Sequence, residues 1–184
     1  METNCICCII FFLDNLLFLS LAIGRAEPIE RARRLLPAIP EECQWVNFLR
    51  NLDELDLERL TDEEREQVYE AFAPQPDMRI FGRGIRRRLA PMLGDRRRIS
   101  MALSLLFSLP GTPMLVYGDE IGMGKNLSLD GRKAVRTPMQ WSSARHAGSS
   151  TAAQRALTMP IVTTGSLVID ISMSRSRPPI RTRP

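Results

Sequence analysis

The apolar residues of this chain fall into two kinds of block, long helical ones and short continuous ones, separated by proline, glycine and acidic punctuation. From about Ile9 to Ala22 the chain is almost wholly apolar, and Gly24 stands where a helix would be capped. Pro28 fits a first helical turn; Ile29, Ala32, Leu35 and Leu36 follow at helical spacing until Pro37 and Pro40 intervene. Thr61-Asp62-Glu63-Glu64 has the form of a capping box and predicts a helix whose inner face is Val68, Ala71 and Phe72, stopped by Pro74 and Pro76. Residues 96 to 109 predict the clearest helix, with Ile99, Ala102, Leu103, Leu106 and Phe107 on one face and Pro110-Gly111 closing it. Two short apolar runs, 44 to 49 (QWVNFL) and 112 to 117 (TPMLVY), read as buried strands. A strand, intervening helices and a second strand predict parallel neighbours joined by a crossover, and hence an α/β fold.

The apolar stretch from residue 5 to 23 raises the question of a signal peptide or a membrane span. Glu2 stands where a signal peptide carries basic residues. Asp14-Asn15 lies mid-stretch, where an acid in a bilayer costs roughly 2.5–3.5 kcal/mol. A buried helix of a core is the expectation, with no membrane contact and a cytoplasmic location.

Charge alters the picture only at the end of the chain. Residues 142 to 184 hold six arginines and one acid, Asp170, whereas residues 1 to 141 are within one charge of neutral. After Trp141 the text turns to Ser, Thr, Arg and Pro without periodicity, apart from a possible strand at 167 to 171, and is expected to lack regular structure. Three domains follow: an atypical segment 1 to 8, a folded part 9 to 141, and a tail 142 to 184. Cys5, Cys7, Cys8 and Cys43 are too unevenly placed for a disulfide framework. The lone Cys5-x-x-Cys8 has no second pair, and the one histidine, His146, lies in the tail, so no metal and no cofactor are expected.

Both predicted strands end in carboxylates, Asp53-Glu54 after the first and Asp119-Glu120 after the second. Catalytic residues of parallel β/α barrels occupy this edge. The arginine groups 86 to 88 and 96 to 98 suit phosphate binding, but a dense acidic run lies nearby and no aromatic residues are interleaved for stacking, so nucleic acid is not an expected partner.

Several long motifs carry a resemblance. WVNFLRNLDELDLERLT is similar to the seventh-strand segment of the α-amylase superfamily, glycoside hydrolase family 13, whose pattern there is Asn-His-Asp-Glu; LPGTPMLVYGDEIGM resembles the eighth-strand segment. RTPMQW, Arg136 to Trp141, resembles a motif shared by trehalose synthases and oligo-1,6-glucosidases, and FFLDNLLFLSLA, FLRN and RGIRRRLAPML point to the trehalose synthases of that family. The resemblance spans about residues 10 to 141.

It implies the last two strands and their helices of a (β/α)8 TIM barrel, and retaining α-glucosyl transfer within one disaccharide, with maltose and trehalose as substrates. It implies that Asp53 is the third catalytic carboxylate, the stabiliser of an oxocarbenium-like transition state. The family histidine before it, a donor to substrate hydroxyls, is Leu52 here, which leaves the substrate-binding residues unknown. The nucleophile and acid/base motifs of earlier strands do not occur in the chain, and Asp119 and Glu120 are not that pair, so the implied activity is not expected of this chain alone. Two rival readings remain: a small membrane-associated protein built on residues 5 to 23, and a basic polyanion-binding protein using the Arg-rich tail.

Overall fold

The computed structural model describes residues 7–9 and 11–162. In chain order the elements are β1 (Cys7–Ile9), α1 (Phe11–Ile23), α2 (Glu27–Leu35), β2 (Gln44–Phe48), β3 (Leu55–Asp56), α3 (Asp62–Phe72), β4 (Arg79–Ile80), β5 (Gly84–Ile85), α4 (Leu89–Leu93), α5 (Arg96–Ser108) and β6 (Thr112–Met114), followed by short 3₁₀ turns.

Two small sheets form. One is parallel, in the order β1-β2-β6, with Val46 opposite Thr112 and Phe48 opposite Met114. The second is antiparallel, in the order β3-β5-β4. The parallel pairing of the segments at 44 and 112 is the one their composition predicts. The pattern predicts neither a strand at Cys7–Ile9 nor the antiparallel sheet. Those strands are two or three residues long and hold too little alternation to register.

α1 is the centre of the core. Leu13 to Leu21 are buried without a break, as expected of a helix apolar on every side, and α2 and α3 both pack on it. Phe18 meets Phe72 of α3 edge to face at 5.7 Å, and Phe11 meets Phe48 of β2 at 5.5 Å. Each fully buried side chain of this size contributes about 1.5–3 kcal/mol. Two polar residues inside α1 are handled differently. Asn15 donates to the carbonyls of Phe11 (2.9 Å) and Asp56 (2.7 Å), pinning α1 to β3. Asp14 has an unbonded oxygen, and burial drives its carboxyl well above the ordinary value.

α3 begins at the predicted capping box. Thr61 Oγ1 accepts from Glu64 N at 3.2 Å, and Glu64 returns a carboxylate oxygen to Thr61 N at 3.0 Å. Its inner face differs from expectation: Val68 and Phe72 are buried, but Ala71 is exposed and Tyr69 is buried in its place. The Arg79 guanidinium lies 4.2 Å from the Tyr69 ring and roofs it. In α5, Ile99, Ala102 and Leu106 are buried, whereas Phe107 is 59% exposed because the helix touches its neighbours along one narrow stripe.

The second strand is also shorter than predicted, ending at Met114 rather than residue 117. Gly118, at φ +88°, turns the chain, with Asp119 N bonded to Val116 O and Met123 N to Gly118 O. Residues 142–162 hold only 3₁₀ turns, and Gln140 Nε2 bonds the carbonyl of Val162. The possible strand at 167 to 171, the arginines from 175 onward and Cys5 lie outside the described residues. Among the described residues no helix is long and apolar enough to cross a membrane, and no group of three or more His, Cys, Asp or Glu is placed to hold a metal.

Candidate active site

The loop leaving β2 carries Asp53, and its backbone is held from both sides. Arg50 is 2% exposed; its Nε donates to Arg87 O at 2.9 Å and its Nη2 to Asp53 O at 2.6 Å. Asn51 Oδ1 accepts from Asp53 N at 2.9 Å, a side-chain turn that engages the other backbone group of Asp53. Burial lowers the Arg50 guanidinium to about 10, with Asp14, Asp119 and Glu54 pulling the other way.

Outside the loop stand two arginines from distant sequence. Arg136 bonds the Asp53 carboxylate through Nη2 and the Leu52 carbonyl through Nε at 2.8 Å. Arg132 forks onto Glu54, with Nε to Oε2 at 2.5 Å and Nη2 to Oε1 at 2.9 Å, and lies 3.4 Å from Asp53 Oδ1. This fork is the first cause holding the Glu54 carboxyl below its ordinary value.

Asp53 and Glu54 line a pocket of about 340 Å³ together with Asn51, Asp56, Arg83 and Arg132. Its floor reaches α1 at Asn15, and Arg83 bridges Asp56 (3.3 Å) and Glu58 (3.1 Å). The volume suits a unit the size of one sugar ring, and alternating carboxylates and guanidinium groups suit the dense hydroxyls of such a ligand. Leu52, where a donor is expected, does not line this pocket, and its backbone carbonyl is bonded to Arg136.

The carboxylates after the second strand are placed differently. Asp119 is buried, and burial raises its carboxyl to about 6 against the pull of Arg88 and Arg50; Glu120 is exposed. Neither lines the pocket that holds Asp53. The three arginines 86 to 88 reach backbone carbonyls: Arg86 those of Asp77, Leu127 and Leu129, Arg87 those of Phe72 and Pro91, and Arg88 those of Tyr117 and Val135. They staple loops to the core, which a charge count along the chain does not reveal.

Residues 85–162 match the α-amylase catalytic domain. The chain is also 52% identical over 150 residues to a trehalose synthase of Thermus thermophilus, a match covering 81% of this chain and 16% of that protein. A trehalose synthase/amylase of Mycolicibacterium smegmatis is 52% identical over 72% of this chain and 22% of its own length. A trehalose synthase of a Pimelobacter species is 50% identical over 73% and 24%. The chain belongs to the α-amylase family.

The chain spans about a sixth to a quarter of the length of these curated relatives. The family match begins at Ile85 and therefore leaves out Asp53, but it includes Arg132 and Arg136, which hold the Asp53 loop. Of these two, Arg136 opens the RTPMQW motif and could be singled out from sequence. Arg132 sits in a 3₁₀ turn, Gly131–Val135, with no local pattern to mark it.

Proposed function

We propose that this α-amylase-family chain carries one side of a retaining α-glucosyl-transfer site of the trehalose synthase kind, which converts maltose to trehalose within one disaccharide, in the cytoplasm. The observation that carries the reading is the position of Asp53: just beyond the C-terminal end of a parallel strand, fixed through both backbone groups, on the wall of a sugar-sized pocket. In this reading β2 and β6 are the last two strands of a partial (β/α)8 barrel, residues 9 to 141 are its C-terminal part, and segments 1 to 8 and 142 to 184 flank it. Asp53 is the transition-state stabiliser: its carboxylate faces the positive charge that develops on the sugar ring as the glycosidic bond breaks.

The same chemistry argues that the chain alone does not turn over. A glycosyl-enzyme intermediate requires a nucleophile on one face of the anomeric carbon and a proton donor at the leaving oxygen. The family motifs for both are missing from the chain, and Leu52 removes a substrate donor. Losing members of a catalytic unit costs on the order of 10⁶ in rate in the protease case. The test is a long incubation of concentrated protein with maltose and with trehalose, beside an Asp53→Asn control. No product above background is expected; product that vanishes in the control would overturn the inactive half of this reading.

A further inference from the structure

One side chain near the pocket breaks the rules of its own turn. β4 and β5 are joined through a turn in which Arg83 N bonds Ile80 O at 3.3 Å and the two central residues, Phe81 and Gly82, have φ of +54° and +68°. A turn with both central φ values positive favours Asn-Gly, and a bulky aromatic in the first of those positions is strained. Phe81 gains no burial in exchange, since it is 64% exposed.

What the conformation does achieve is placement. The hairpin is seated against the pocket wall at Gly84, where a Cβ would lie 2.9 Å from Glu54 Cγ, so no other residue lets the strand sit so close. Arg83, two residues beyond Phe81, lines the pocket, and the Arg132 guanidinium that forks onto Glu54 lies 5.6 Å from the centre of the Phe81 ring. The ring does not itself line the pocket; it is held in solvent next to it, with the guanidinium of Arg132, which does line the pocket, over one of its faces and the other face open.

We infer that Phe81 is a stacking platform for a pyranose ring, binding the sugar unit at the mouth of the Asp53 pocket. The inference rests on the reading that this pocket takes an α-glucoside. The apolar face of a glucopyranose presents C–H groups of slight positive charge, which match the negative face of an aromatic ring. The neighbouring guanidinium can donate to ring hydroxyls that the stacking leaves free.

The test is maltose titration of the full chain followed by NMR, with melting temperatures on the same samples. Wild type and Phe81→Tyr are expected to bind alike. Phe81→Asn suits the turn better, and is expected to bind roughly three- to tenfold more weakly while melting no lower than wild type. Undiminished maltose binding by Phe81→Asn would overturn the inference, as would a lower melting temperature, which would make Phe81 a structural residue. Asp53→Asn separates the two readings: loss there with none in Phe81→Asn removes the platform and keeps the site, and the converse keeps the platform and removes Asp53 from it. No binding by wild type overturns both.

Discussion

Arg132 and Glu54, 78 residues apart in sequence, are joined by a two-pronged ion pair whose bonds measure 2.5 and 2.9 Å. The carboxylate end is buried, at 8% exposure, and the guanidinium end is open, so the pair closes the wall of the pocket from outside.

That pair sets a pH dependence. A carboxyl lowered on folding contributes stability that is present above its ordinary value of 4.5 and lost as pH falls through the lowered folded value. Wild type is therefore expected to melt above Glu54→Gln at pH 7, with the gap closing below pH 4.5. Melting curves of both proteins from pH 3 to 7 check it; a gap constant with pH would show that the ion pair adds nothing.

Asp119 has the opposite sign. Its carboxyl is raised from 3.8 to about 6, first by burial, so stability is full below 3.8 and declines as pH rises through 6. Asp119→Asn keeps the uncharged form at every pH, and is expected to exceed wild type by on the order of 2–3 kcal/mol at pH 7.5 and by little at pH 4. Urea unfolding at the two pH values measures this. Greater stability of wild type at pH 7.5 would mean that attraction to Arg88 and Arg50 outweighs burial.

Thr61 should be replaceable only by a side chain that can accept from the Glu64 amide. Thr61→Ala leaves the Glu64 amide without its acceptor and costs about 1 kcal/mol, while Thr61→Ser stays within a few tenths. The change propagates to the core because α3 carries Val68 and Phe72 against α1. Equal unfolding midpoints for the Ala and Ser variants would contradict it.

Gly111 guards the parallel pairing of β2 and β6. Its φ is +116°, and a Cβ there would lie 2.6 Å from Trp45 O and 3.0 Å from Asn47 Nδ2, which itself bonds Pro110 O at 2.7 Å. Gly111→Ala is expected to cost at least about 1–3 kcal/mol and to loosen β6. Amide hydrogen exchange along 44–48 and 112–114 reads the effect; unchanged protection would refute it.

The amino-acid sequence by itself determined the parts of this protein that depend on near neighbours. The unbroken apolar block around Phe18, the Thr61/Glu64 box and the stripe Ile99, Ala102 and Leu106 each specify a helix through contacts within a few residues. Asp53 is marked by its place after a strand and by the motif around it. Tertiary structure alone decided which residues gather around Asp53. Arg132 and Arg136 reach Glu54, Leu52 and Asp53 across 78 to 84 positions, and Phe81 meets Arg132 only because the hairpin docks at Gly84. It also exposed Ala71 and Phe107, which share the helical period of buried residues. Periodicity reports the direction in which a side chain points, whereas burial and ion pairing depend on what the rest of the chain brings to meet it.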